Sequence, residues 1–411
     1  MLIDSPDKNY DIVIVGGGMV GASFSCALSK VLAPSMSALV VEAFQKSSLD
    51  ENSQPSFDSR STALSYGSSK FLERIGVWES LSKQVTPIKE IHVSDRGRFG
   101  STQMNQEQQH TDALGYVFEN RKLGFVLNTA MAASKSVNVL SPALINHIKP
   151  NSDGMTLEVV KDQESYTVNA ALVVLADGGR SPICDQLGIA FDIENYHQCA
   201  IISNIAFEKP HKYIAFERFT DTGPLAILPL ESIEDGHRGA LVWTINQTDA
   251  DELMSTSDKE LLAKLQERFG NRLGRITRIG KRFSYPLSLS VAKEQIRPGL
   301  VLLGNVAHTL HPVGGQGLNL ALRDTESLVN ILTEAVRQSK PLGSMSVLQE
   351  YLDIQAHDQG RSIEFTHHLN RLFSSNNTAK VWLRKFGLFS IDFFPGLKQG
   401  FARQAMGLSD K

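Results

Sequence analysis

The sequence predicts an α/β fold whose parallel sheet is interrupted by an inserted domain built on an antiparallel sheet, with helices closing the chain. Three observations carry this. Short β-branched runs and a helix-period stretch alternate at the N-terminus, the middle of the chain turns to successive strands, and an apolar strand running into a helix returns near residue 300. The 411 residues leave room for two or three domains. Hydrophobic residues are 42% and charged residues 21%, enough apolar side chain to exclude a mainly disordered chain.

Residues 11–15 (D-I-V-I-V) read as a buried strand. From 19 to about 31 apolar residues recur at helical spacing, and Pro34 limits the run. Residues 38–41 (A-L-V-V) complete a βαβ unit of the parallel kind. Residues 45–60 are polar and read as a loop, 62–75 as a helix, 91–93 as a strand, and 121–133 as a helix with Leu123 and Leu127 on one face. Short strands are expected at 137–140, 157–160 and 166–168, then a continuous apolar strand at 172–176 ending on Asp177-Gly178. Between about 181 and 285 the runs 200–207, 213–219, 223–229 and 239–244 predict an antiparallel sheet, with a helix at 257–269. Residues 300–304 are again a strand, followed by a Gly-rich loop and a helix from about 317 to 336. The division that follows puts 1–75, 110–180 and 282–350 in one discontinuous domain. Residues 76–109 and 181–281 fall in the inserted domain, and 351–411 in a C-terminal helical segment.

Forty-one Lys+Arg against 44 Asp+Glu give a net charge of -3, which argues against a nucleic-acid partner. Cys26, Cys184 and Cys199 form no C-x-x-C pair and no metal-ligand cluster, so no metal is expected and a reducing compartment is. The apolar runs at 170–176 and 300–303 are far shorter than the roughly 20 residues of a membrane span. Residues 1–10 carry Asp4 and Asp7 and no apolar signal region, so the expected location is cytoplasmic. Residues 361–411 depart from the neutral average, with eight Lys+Arg, three Asp+Glu and a balance of +5. Trp382, Phe386, Phe389, Phe393 and Phe394 lie there at helical spacing, and Pro395 stops the run. Two readings stand: a helix packed on the core, or a basic aromatic surface for the inner face of a membrane or for partner proteins.

Gly16-Gly17-Gly18-Met19-Val20-Gly21 is a G-x-G-x-x-G between strand and helix. Gly16 allows the tight turn, Gly18 the approach of a pyrophosphate and Gly21 the close packing of helix on strand. The helix start at Met19 and Val20 offers free N–H groups to phosphate. Glu42 ends the second strand 21 residues after Gly21, where an acid accepts hydrogen bonds from ribose hydroxyls. This predicts a Rossmann-like dinucleotide site with a free ribose, for FAD or NAD; the alternative is a purely structural glycine turn. A second strand–loop–helix passage holds Gly304-Asn305, Ala307-His308, Pro312, Gly314-Gly315-Gln316-Gly317-Leu318-Asn319 and Arg323-Asp324.

That second passage resembles the G-D-x-A-H-x-x-x-P-x-x-G-Q-G-x-N-x-x-x-x-D motif of the flavoprotein aromatic hydroxylases of the p-hydroxybenzoate hydroxylase fold. The resemblance implies a glutathione-reductase-type FAD-binding domain with an inserted α+β substrate domain. It also implies flavin contacts at Asn305, at Pro312 and along Gly317-Leu318-Asn319. Asn305 stands where the family usually has Asp, which keeps an acceptor and loses the charge. Asp177-Gly178 in A-D-G-G-R-S resembles the family's A-D-G-x-x-S segment beside FAD and the incoming NAD(P)H. Arg60 in D-S-R-S-T-A-L and Arg121 in E-N-R match arginines placed by the flavin and over its pyrophosphate.

Nearly the whole chain takes part, and the ubiquinone-biosynthesis hydroxylases are the nearest branch. The stretches I-G-V-W (75–78), H-V-S-D-R-G (92–97), F-E-R-F-T (216–220) and G-P-L-A (223–226) resemble those members acting on 2-polyprenyl-6-methoxyphenol. The implied chemistry is hydroxylation of a polyprenyl phenol using FAD, NADPH or NADH, and O2, through a flavin C4a-hydroperoxide. A ubiquinone-biosynthesis protein complex is an implied partner. No catalytic residue is assigned: a group must accept the phenol proton, and His308 and His311 read as structural members of the loop. A sister hydroxylase for another ring carbon, an FAD-dependent dehydrogenase and a non-enzymatic flavoprotein scaffold remain as alternatives. A disulfide reductase is excluded by the missing cysteine pair and the missing second G-x-G-x-x-G.

Overall fold

The computed structural model describes residues 1–31, 33, 36–44, 60–95, 101–179, 181–233, 236–373, 400, 403 and 406–408. Residues 45–59 of the polar stretch expected over 45–60, Arg180 of the A-D-G-G-R-S segment and the aromatic run Trp382 to Pro395 lie outside the described residues.

The first sheet has eight strands among the described residues, and its parallel part runs in the order Leu300–Leu302, Glu164–Leu175, Asn9–Val15, Ala38–Val41 and Val137–Leu140. Their facing residues are apolar on both sides, as in the registers Ile12↔Leu172 and Val13↔Val173, because both faces are covered. Helices Met19–Val31, Asn120–Ala133 and Gln316–Arg337 cover one face, burying Phe24, Leu28, Leu127 and Leu332. An antiparallel meander of Leu144–Asn151, Gly154–Lys161 and the first half of Glu164–Leu175 covers the other, around Met155, Leu157 and Val168.

Two expected strands, 166–168 and 172–176, are therefore one. Asn169 looks like a break but sits mid-strand, pairing with Thr156 on one side and Asn9 on the other. Its amide is satisfied there by Thr156 at 2.9 Å and Asn9 at 3.0 Å.

The second sheet is antiparallel at its centre, where Phe191–Phe207 pairs with Gly236–Asn246 and that strand with Pro224–Ile233. Ile214–Phe219 continues it and pairs in parallel with Glu90–Asp95, which pairs with Ser101–Asn105. Helix Asp258–Phe269 packs on its outer face around Trp243, Leu261 and Leu265. Phe283–Ala292 pairs along Phe191–Phe207 and so lies on this sheet, beyond the boundary expected at 281. Its alternating serines, Ser284, Ser288 and Ser290, hid it from a reading based on hydrophobicity.

A three-stranded sheet of Ser61–Ser65, Gly115–Glu119 and Thr86–Ile88 sits between the two larger ones. The helix expected over 62–75 is corrected here: residues 61–65 are a strand and the helix is Tyr66–Arg74. The Ser65 hydroxyl accepts from the Ser68 backbone N–H at 3.2 Å, so it caps the helix and fixes where the strand stops.

Candidate functional site

The strand ends of the parallel sheet, the three-stranded sheet and the inner face of the antiparallel sheet enclose one cavity of about 1090 Å³. Its nucleotide-like end is built from the first glycine loop. Gly16 has φ +96°, and a Cβ there would lie 2.5 Å from the Ala176 carbonyl oxygen. A Cβ on Gly21 would lie 2.0 Å from the Gly16 carbonyl oxygen. The two strands and the helix thus cross at a distance only glycine allows. Glu42 is buried, and its carboxylate accepts from the Gly17 N–H at 2.5 Å and the Phe44 N–H at 2.9 Å. Gly16, Met19, Val20 and Glu42 line the cavity.

The second glycine loop closes over the first. Gly314 and Gly315, at φ +68° and +62°, turn the chain into helix Gln316–Arg337. A Cβ on Gly304 would lie 3.0 Å from Val20, so the loops touch. Asn319 holds this loop to the strand Ser61–Ser65: its Oδ1 accepts from Ser65 N–H at 2.8 Å, and its Nδ2 donates to the carbonyls of Gly315 at 2.7 Å and Ala63 at 3.1 Å. Beneath it, His308 Nε2 meets Asp324 at 2.5 Å with both side chains fully buried, and Gln359 from helix Met345–Phe373 donates to the same carboxylate at 3.3 Å. His311 packs edge-on to Tyr196, and burial pushes its pKa down to about 4. His308 therefore braces the loop from beneath, and His311 is a packed, uncharged ring.

Asn305, Pro312, Gly317, Leu318 and Asn319 line the cavity, as do Arg60, Asp177 and Gly178. Arg60 lies 4.8 Å above the Tyr285 ring. Asp177 accepts from the Ser181 hydroxyl at 2.7 Å, yet burial pushes its carboxyl up to about 6. Arg121 opens helix Asn120–Ala133 but turns away from the cavity, pairing with Glu119 at 2.6 Å.

Residues 9–354 match the FAD binding domain family. Ubiquinone hydroxylase UbiL of Rhodospirillum rubrum is 33% identical over 403 residues, spanning 98% of this chain and 91% of that protein. The chain belongs to the FAD-binding hydroxylases of ubiquinone biosynthesis. The 3-demethoxyubiquinol 3-hydroxylase of Escherichia coli is 27% identical, over 97% of this chain and 98% of that protein. The fold is that of p-nitrophenol 4-monooxygenase PnpA from Pseudomonas putida, with a TM-score of 0.78 at 18% identity over 98% of this chain and 99% of that one. The chain is an FAD-dependent aromatic-ring monooxygenase using O2 and NAD(P)H.

For a monooxygenase of this family, the far end of the cavity is the informative part. One lateral row of the antiparallel sheet reads Thr102, Val93, Glu217, Ala226, Val242 and Ile202 across six strands, and all six face the cavity. Phe219, Pro224, Leu228, Ile91 and Met104 extend the same surface. Beside the hydroxyls of Thr102 and Thr244, Glu217 is the one charged residue lining this wall among the described residues, and burial pushes its carboxyl up to about 7. The resemblance carried by F-E-R-F-T does not report this role. The signal was there: on a strand, Glu217 shares a face with Ala215 and Phe219, so an acid was being placed among core residues.

Proposed function

We propose that the chain hydroxylates the ring of a polyprenyl phenol in ubiquinone biosynthesis, with 2-polyprenyl-6-methoxyphenol as the substrate. The observation that carries this is a single cavity joining the two glycine loops to a broad apolar sheet face. A dinucleotide needs the first and a prenylated ring the second. The close crossings at Gly16 and Gly21 support an FAD pyrophosphate at that end, with the helix start at Gly18, Met19 and Val20 facing phosphate and Glu42 facing ribose. A carboxylate has about four acceptor sites, so the two backbone donors on Glu42 leave capacity for ribose hydroxyls.

In this reading Arg60, Asp177, Gly178, Asn305, Pro312 and the Gly317-Leu318-Asn319 backbone surround the flavin, and Arg121 contributes through Glu119. The discontinuous division into an FAD domain, an inserted substrate domain and a C-terminal helical segment is part of the same reading. When bound, FAD takes electrons from NADH or NADPH and supplies activated oxygen to the ring. The chain's residues supply the rest: the Asn319 clamp fixes the loop beside the ring, and the apolar wall excludes water and orients the phenol.

Among the described residues no helix is long and apolar enough to cross a membrane. A long prenyl tail nonetheless favours access from a membrane surface, for which the basic C-terminal segment is the proposed contact; docking in a biosynthetic complex is the other use of that segment.

Loss of function tests the substrate directly. Inactivation is expected to accumulate the polyprenyl methoxyphenol, measured by mass spectrometry of extracted quinone precursors. Accumulation of a different precursor would assign the chain to a sister reaction. The likeness to the 3-demethoxyubiquinol 3-hydroxylase favours that second reading.

A further inference from the structure

We propose that Glu217 is the base that takes the proton from the phenol hydroxyl of the substrate. The inference rests on the phenol reading above and adds the group that activates the ring. Glu217 stands mid-wall in a row whose neighbours on both sides, Val93 and Ala226, are apolar, and it borders the cavity. It has no hydrogen-bond or ion-pair partner among the described residues. An unpaired acid in an apolar wall costs stability, and a ligand hydroxyl would satisfy it.

The other charged groups lining the cavity are engaged at its opposite end: Glu42 on backbone amides, Asp177 on Ser181 and Arg60 over Tyr285. On the sheet itself Asp95 shares the face of Glu217, one step further along the neighbouring strand, but does not line the cavity. Arg218 and His92 lie on the opposite face. No cation faces Glu217 from the strands beside it, so its ionisation is governed by burial, and burial raises it. A carboxylate held near neutrality has the proton affinity a general base needs at working pH.

The phenol O–H bond breaks, an O–H bond forms on the Glu217 carboxylate, and the electron pair stays on the phenol oxygen. That charge enriches the ring carbons ortho and para to it, one of which receives an oxygen atom. O2 supplies the oxygen and NAD(P)H the two electrons, and the second oxygen leaves as water. The ring C–H proton is released as aromaticity returns, and Glu217 passes its own proton to solvent before the next cycle.

The test uses the FAD-loaded full chain with 2-geranyl-6-methoxyphenol as probe, comparing wild type with Glu217→Gln. Four readouts are followed: product, NAD(P)H consumption, hydrogen peroxide and bound flavin. Glu217→Gln is expected to lower product formation by about a hundredfold or more, while flavin content holds and NAD(P)H consumption turns to peroxide release. In wild type, product formation rises as pH passes upward through about 7, because the base must be ionised; that rise disappears in Glu217→Gln. Glu217→Asp, which keeps an acid, should restore the rise at a reduced rate. Product formation within about threefold of wild type in Glu217→Gln, or an unchanged pH rise, overturns the assignment and leaves the phenol reading standing. A wild type that converts no phenol probe overturns the reading and the assignment with it. Should Glu217→Gln lose its flavin, the wild-type pH rise and its survival in Glu217→Asp decide.

Discussion

The two ends of the cavity are built on opposite principles. At the glycine loops, backbone meets backbone, and three of the side chains that shape the site have protein partners: Glu42 on Gly17, Asn319 on Ser65, Ala63 and Gly315, and His308 on Asp324. At the antiparallel sheet, side chains meet open space, and the single acid has none. The first end is a rigid mould for a group that never changes. The second is a smooth surface with one reactive point, suited to a ring that must enter, react and leave. Buried polar groups that are fully paired rigidify a site, whereas an unpaired one costs stability and is kept for its chemistry.

The contrast is broken most severely at the mould. Gly21→Val places a Cβ 2.0 Å from a backbone oxygen that cannot move aside. We expect loss of bound flavin, read as loss of the yellow absorbance in purified protein, with a large fall in melting temperature. A Gly21→Val protein that keeps stoichiometric FAD would show that the close crossing is not what holds the cofactor.

At the other wall the same kind of measurement should move the opposite way. Burial raises the Glu217 carboxyl to about 7, above its ordinary value of 4.5, so folding favours its protonated form. Its penalty is absent below about pH 4.5, grows as pH rises, and is complete above about 7. Glu217→Gln should therefore gain up to about 3 kcal/mol at pH 8 and almost nothing at pH 4.5. Denaturant melts at the two pH values check it, and an equal effect at both would contradict the buried charge.

The smallest effect is expected from Asn319→Ala. It removes three hydrogen bonds and strands the buried Ser65 N–H, costing about 2 kcal/mol. Because the clamp holds the second glycine loop, proposed to lie beside the flavin, it should also weaken FAD retention more than a core truncation of equal cost. Titration of apoprotein with FAD separates the two.

Much of this was legible in the sequence. The first βαβ unit, Glu42 at its end, the return of a strand near 300 and the second glycine loop are local patterns, and periodicity and turn chemistry write them plainly. Most of the named residues line the cavity, whereas Arg121 pairs with Glu119 and is not part of that lining. Other features needed the fold. Residues 61–65 are a strand because Gly115–Glu119 lies beside them, some fifty residues away in sequence, and no local propensity reports a distant partner. Asn169 continues its strand because two neighbours satisfy its amide. Ser284, Ser288 and Ser290 sit on a sheet because Phe191–Phe207 supplies the pairing.

The sequence by itself determined the α/β class, the nucleotide end and the chemistry implied by the motifs, since glycine spacing and helix starts act within one turn of the chain. Only the tertiary structure decided which acid stands in the sheet wall of the cavity. Glu217 becomes exceptional when six strands align one row across a sheet, and that alignment depends on pairings such as Val93↔Glu217 that no local pattern reports.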